Sequence, residues 1–106
     1  MPHLGPVMDH LWTTLQQRKD ADPEHSWSAR LIGDPPLAAR KLAEEAIETA
    51  FAAVRGDRPA IVAESADLIY HWLALLAAFG LTPDEVAAAL AARQGRSGIE
   101  EKASRR

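Results

Sequence analysis

The sequence contains no cysteine, so disulfide bonds and thiolate metal ligands are both excluded. It also lacks an N-terminal basic region followed by an apolar run, which is the pattern of a secretory signal peptide. The most apolar stretch, residues 61–79, is interrupted by Glu64, Asp67 and His71, and this indicates the central helix of a soluble bundle instead of a membrane span. We therefore expect a cytoplasmic protein with no membrane partner.

Length and composition predict one small domain, residues 1–106, with a thin core. A domain of this size buries only about 60–65% of the surface of its unfolded chain. Much of the 47% hydrophobic content is alanine, so we expect the helices to complete their burial against a second copy, as a homodimer or a higher homo-oligomer. The net charge of −3 argues against nucleic acid as a partner. The basic C-terminal tail, at about residues 94–106, suits either a polyanionic small molecule or solvent.

Hydrophobic periodicity and helix-capping residues predict helices throughout, and no segment alternates as a strand does. The predicted helices run from Val7 to Arg18 or Lys19, from a Ser26 N-cap to Leu31, from about Pro36 to Arg55, from Asp57 to Phe79, and from a Thr82 N-cap to about Arg93. Short connections favour antiparallel neighbours. The predicted fold class is all-α, a small antiparallel bundle of four to five helices completed by homo-oligomerisation.

Two acidic motifs lie on consecutive predicted helices, Glu44-Glu45-x-x-Glu48 and Glu64-x-x-Asp67. Because successive helical residues rotate by about 100°, each motif forms one stripe, which Lys41 joins on the first helix and His71 on the second. The second of these helices is apolar almost all round, so we expect it to be buried. A tight turn at residues 56–59 would bring the two stripes face to face.

Two interpretations of these stripes remain open. The acids either lie on solvated faces, as glutamates on helices commonly do, or converge on a divalent cation. A buried carboxylate without a partner costs several kcal/mol, and Lys41 alone does not balance five acids. Oxygen ligands without cysteine favour Mg²⁺, with Mn²⁺ as an alternative, and disfavour zinc.

Further blocks extend the pattern along nearly the whole chain. They are Ser26-Trp27-Ser28-x-x-Leu31, Lys41-x-x-Glu44-Glu45-Ala46-x-Glu48, Glu64-x-Ala66-Asp67-Leu68-x-Tyr70-His71, Leu90-x-x-Arg93 and Glu101-Lys102-x-Ser104-Arg105. Together they resemble the phosphoribosyl-ATP pyrophosphatase family of histidine biosynthesis, within the all-α nucleoside-triphosphate pyrophosphohydrolase (MazG-like) superfamily. Trp27 departs from the family's common tyrosine, and Ala43 from its glycine.

The resemblance implies an enzyme that hydrolyses 1-(5-phosphoribosyl)-ATP to 1-(5-phosphoribosyl)-AMP and pyrophosphate, the second step of histidine biosynthesis. It implies one or two Mg²⁺ ions held by Glu45, Glu48, Glu64 and Asp67. The catalytic candidates are Glu44, Glu45 and Glu48, and Glu44 would either support a ligand or orient the attacking water. The candidate substrate-binding residues are Lys41, His71, Arg93, Lys102 and Arg105, the last three for the ribose 5-phosphate group. Trp27 and Tyr70 are interpreted as packing residues, with stacking on the adenine as the alternative.

Two rival functions share these features. A general pyrophosphohydrolase that clears noncanonical nucleoside triphosphates would use the same metal site, and the Glu101-to-Arg105 block is the feature against it. A non-enzymatic helical interaction module would leave the acids solvated and would show no response to magnesium.

Overall fold

A computed structural model describes residues 1–95 together with Gly98 and Lys102, and this part of the chain is helical without any strand. Its helices are α1 (Leu4–Arg18), α2 (Trp27–Ile32), α3 (Pro35–Arg55), α4 (Arg58–Ala78) and α5 (Pro83–Arg93). The predicted all-α class is confirmed. Most of the predicted basic tail lies outside the described residues.

Side-chain caps begin four of these helices. The capping contacts are Ser26 accepting from the Ala29 amide, Asp34 from Leu37, Asp57 from Ala60, and Thr82 from Glu85. At α5 the Glu85 side chain also accepts from the backbone N–H of Thr82, which completes a capping box. A proline in the first turn of α3, α4 and α5 costs nothing, because those first amides have no partner within the helix.

The observed helix ends differ from the predicted ones by only a few residues. α1 begins at Leu4 instead of Val7, because Pro6 falls in the first turn, where a missing N–H is tolerated. α4 ends at Ala78, and Phe79 is its C-cap. α3 ends at Arg55, as predicted, and its C-cap Gly56 has a φ of 68°, in the left-handed region that glycine adopts without strain.

α4 is the central helix of the bundle, since α1, α2 and α3 all pack against it. The core is small, as predicted: Leu15 of α1 packs with Leu73 and Leu76 of α4. Partly buried side chains around it include Met8, Trp12 and Trp72, and Val86 is the member that α5 contributes.

The predicted burial of α4 is correct only for its second half, where His71, Leu73, Ala74 and Leu76 are buried. In the first half Val62 is 71% exposed. By length and composition α4 would suffice to cross a membrane. The helix carries Glu64 and Asp67 in this stretch, and α1, α2 and α3 pack against it.

Candidate metal centre

The antiparallel hairpin of α3 and α4 brings the two acidic motifs together. The turn between the helices is closed by backbone hydrogen bonds from Gly56 to Ala53 and from Asp57 to Ala52. This register places Glu64 of α4 opposite Glu48 of α3, with Glu45 one turn earlier on α3. One carboxylate oxygen from each of Glu45, Glu48 and Glu64 lies within 4.8 Å of the other two. The predicted convergence of the two motifs is therefore present for three glutamates.

Two oxygens of this cluster are enclosed without a partner. Oε2 of Glu45 and Oε2 of Glu64 are both inaccessible to solvent and accept no hydrogen bond from the described residues. A buried acceptor in this position costs free energy unless a ligand or an ion satisfies it. The oxygens accordingly have what a cation site requires: hard donors, partial enclosure and unmet bonding capacity.

Mutual repulsion and burial make these acids weak. Burial, followed by the charge of Glu48, raises the pKa of Glu45 above its ordinary value of 4.5, and nearby His71 opposes this shift. The pKa of Glu64 is raised first by a hydrogen bond with Glu48, then by burial and by the neighbouring carboxylates. Such shifts are typical of carboxylates that are gathered for a function, although structural networks can produce them too.

Asp67 lies one turn after Glu64 on α4 and is solvent-exposed. Its charge raises the pKa of both Glu45 and Glu64, so it lies at the edge of the cluster without belonging to the close group of three. Its role as a metal ligand stays a prediction.

Glu44 does not belong to the close group of three carboxylates and is paired with cations. Its Oε2 lies 3.1 Å from the Lys41 Nζ, and its Oε1 lies 3.8 Å from the Arg40 Nε. The ion pair of Lys41 with Glu44 joins residues three positions apart on α3. The Lys41 ammonium is thus held by the acid that directly precedes Glu45 on α3.

Two hydrogen bonds that sequence spacing did not reveal dock α2 onto α4. The Trp27 indole N–H donates to Nε2 of His71 over 3.4 Å, and the Ser28 hydroxyl bonds to the Tyr70 hydroxyl at 2.6 Å. Nδ1 of His71 lies 2.8 Å from the backbone oxygen of Asp67, which fixes the proton on Nδ1. His71 is buried with both ring nitrogens engaged, so its predicted contact with substrate stays a prediction. The sequence signal for this docking of α2 is the pair of adjacent aromatic and hydroxyl residues, Trp27 and Ser28.

The remaining predicted substrate residues are more distant in sequence from the cluster. Arg93 is exposed in the last turn of α5, and Lys102 is exposed as well. Arg105 lies outside the described residues. The assignment of Arg93 and Lys102 to the ribose 5-phosphate group stays a prediction.

Comparison with known proteins gives one consistent family. A family model described as phosphoribosyl-ATP pyrophosphohydrolase matches residues 8–94. A phosphoribosyl-ATP pyrophosphatase of Caulobacter vibrioides (strain NA1000 / CB15N) is 56% identical over 102 residues, which cover 96% of this chain and 95% of that protein. Proteins of the same name from Caulobacter sp. (strain K31) and Ruegeria pomeroyi are 51% and 49% identical, over 99% and 93% of this chain and 98% and 95% of their own lengths.

Proposed function

The chain belongs to the phosphoribosyl-ATP pyrophosphohydrolase family, and from this premise we propose that it hydrolyses 1-(5-phosphoribosyl)-ATP to 1-(5-phosphoribosyl)-AMP and pyrophosphate. The reaction is the second step of histidine biosynthesis, and the protein is a hydrolase acting on a phosphoric anhydride. The observation that carries the chemistry is the cluster of Glu45, Glu48 and Glu64, with two enclosed oxygens that no described residue satisfies. Such a cluster suits a reaction that depends on positioning and on neutralising phosphate charge.

The donor set fits magnesium. Glu45, Glu48 and Glu64, with Asp67 at the edge, would hold one or two Mg²⁺ ions, and Mn²⁺ would fit the same oxygens. When bound, such an ion would supply positive charge that neutralises the phosphates and would activate a water molecule for hydrolysis. The glutamates must be ionised to serve as ligands, so their raised pKa values make binding weaker at acidic pH.

Lys41 and Glu44 supply the next contribution from the chain itself. Lys41 would neutralise a phosphate of the substrate, since it stands about one turn before Glu45 on α3 and its side chain is about one-third exposed. A phosphate on Lys41 would weaken the Lys41–Glu44 ion pair. Glu44 would then be free to orient the water that attacks the α-phosphorus. Arg93, Lys102 and Arg105 would receive the ribose 5-phosphate group through their positive charge.

A second copy of the chain would cover an apolar surface that the described residues leave open. On α3 the side chains of Ile47, Phe51 and Val54 are 55%, 59% and 84% exposed, and Val62 of α4 adds to them. Contiguous exposed apolar side chains are typical of an interface. We assign this surface to a homodimer or a higher homo-oligomer, in the cytoplasm, with neither nucleic acid nor membrane as a partner.

A pyrophosphate-release assay with phosphoribosyl-ATP, with and without Mg²⁺, tests this function. We expect turnover only with the metal, and we expect Glu48→Ala and Asp67→Ala to reduce it by at least about a hundredfold, because removing even an outer partner of a metal ligand costs about 10- to 100-fold. Circular dichroism should show unchanged helicity in both variants. Glu24→Ala is the matched control, since Glu24 is an exposed acid in the loop before α2.

Three results would contradict the proposal in different ways. Preference for dUTP or for modified triphosphates over phosphoribosyl-ATP would indicate the general pyrophosphohydrolase. Absence of pyrophosphate release from every substrate would leave the interaction module. Full activity in both alanine variants would refute the site while leaving the reaction intact.

A further inference from the structure

The indole of Trp27 lies between His71 of α4 and Lys41 of α3 and keeps much of its surface uncovered. The side chain is 40% exposed, although Ala29 and Leu31 of the same short helix are buried. A large aromatic side chain that only packs would be expected to lose most of its exposure. The uncovered part of the ring is therefore available to a ligand.

The orientation of the indole ring is fixed by its contact with α4. Its N–H donates to the buried His71, a residue 44 positions away in sequence, and His71 is held in turn by the carbonyl of Asp67. Tyr70 meets the His71 ring edge-on, with the two ring centroids 5.0 Å apart. The indole is thus positioned before any ligand binds, which reduces the entropy that a ligand has to overcome.

The same contacts place the ring beside the phosphate-handling groups. Asp67 and Glu64 stand on α4, the helix that holds His71. The Lys41 Nζ lies 5.7 Å from the centroid of the indole and 3.1 Å from Glu44. Arg30 lies 5.9 Å from the same centroid. Both cations lie within the range of cation–π contact with the indole, and Trp27 still keeps 40% of its surface exposed beside them.

We propose that the Trp27 indole is the surface on which the adenine ring of the substrate stacks, and that His71 is its positioning residue. The proposal rests on the function proposed above and adds the residue that recognises the base. A nucleotide bound across the site would lay its phosphates toward Lys41 and the glutamates and its base on the indole. Every base offers a π-face, so stacking on the indole gives affinity for the base. The contacts that orient the indole then fix the orientation in which the base binds.

The test compares two substrates in three variants. Ribose 5-triphosphate keeps the sugar and the phosphates of the nucleotide and lacks the base. We expect Trp27→Leu to lower kcat/KM for phosphoribosyl-ATP by about ten- to a hundredfold, mainly through KM, because it removes one base-stacking contact. The same variant should leave kcat/KM for ribose 5-triphosphate within about twofold, and Trp27→Phe should recover most of the loss by restoring a ring.

Tyr70→Phe is the matched control for the docking of α2. It removes the Ser28–Tyr70 hydrogen bond and leaves the indole and its partner in place. We expect it to retain the ratio between the two substrates. His71→Leu removes the acceptor of the indole N–H and should raise KM for phosphoribosyl-ATP alone, whereas His71→Gln, which offers an acceptor oxygen, should recover part of that loss.

Each outcome decides the proposal. Equal losses on both substrates in Trp27→Leu would show a structural role, and no loss on either would show that the base binds elsewhere. Failure of the wild-type protein to release pyrophosphate from phosphoribosyl-ATP would refute the proposed function separately. Calorimetric titration with ATP needs no turnover: weaker binding in Trp27→Leu than in the wild type supports stacking, and equal affinity, or no binding by either protein, overturns it.

Discussion

Magnesium should stabilise the folded protein, and Glu48→Gln should abolish that effect. Glu48 supplies one of three carboxylate oxygens that lie within 4.8 Å of each other, and its replacement by glutamine removes one charge while preserving the shape of the side chain. A ligand that binds only the folded state stabilises it by RT ln(1 + [L]/Kd). At a magnesium concentration ten times Kd this equals about 1.4 kcal/mol, which for a chain of this size raises Tm by about 6–11 °C.

Glu48→Gln should gain less Tm from magnesium than the wild type, yet have the higher Tm when the metal is absent. If the substitution weakens binding a hundredfold, the same magnesium concentration contributes less than about 0.1 kcal/mol, and Tm moves by under about 1 °C. Without magnesium at neutral pH, however, Glu48→Gln should melt at a higher temperature than the wild type, because Glu48 is among the causes that raise the pKa of Glu45 and of Glu64.

The pH dependence follows from the direction of these shifts. An acid whose pKa is higher in the folded than in the unfolded state binds more protons when folded, so the free energy of unfolding falls as pH rises. The fall begins near the ordinary value of 4.5 and is complete above the raised pKa of the folded state. We therefore expect the metal-free wild type to lose more stability than Glu48→Gln between pH 4.5 and pH 7, and stabilisation by magnesium to grow over the same interval.

Thermal unfolding of both proteins, with and without magnesium at several pH values, measures all three effects. The control is Glu24→Gln, which should respond to magnesium as the wild type does. A wild-type Tm that magnesium does not change, or an equal rise in Glu48→Gln, would refute the reasoning. So would a metal-free Glu48→Gln that melts below the wild type at neutral pH.

Two further predictions concern packing. Leu73→Ala removes a side chain with no exposed surface from the small core, so it should lower the free energy of unfolding by about 2–5 kcal/mol in urea titrations, whereas Gln17→Ala on the exposed side of α1 should change it by less than about 0.5 kcal/mol. Phe51→Asp places a charge on the apolar surface of α3 and should shift the mass measured by light scattering toward the monomer. A monomeric wild type, or an unchanged assembly in Phe51→Asp, would contradict the interface.

The sequence by itself determined the local structure of this protein. The Thr82-x-x-Glu85 capping box, the Asp57 cap and the glycine at position 56 fix where helices begin and end, because each acts within one helical turn. The spacing of the two acidic motifs likewise follows from helical geometry alone, and the blocks around them sufficed to indicate the family. α1 begins three residues before its predicted start, because a proline such as Pro6 is tolerated in the first turn of a helix and does not mark the boundary.

Only the tertiary structure decided which side chains meet. Packing of α3 against α4 selected Glu45, Glu48 and Glu64 as the close group, whereas the pairs of Glu44 with Lys41 and Arg40 are local contacts within α3. Docking of α2 paired Trp27 with His71. Neighbouring residues on one helix differ by about 100° in direction. The rotation of a helix about its own axis therefore decides which of two neighbouring glutamates faces the partner helix. Sequence spacing specifies a face of a helix, whereas the contact made by that face depends on how the helices pack.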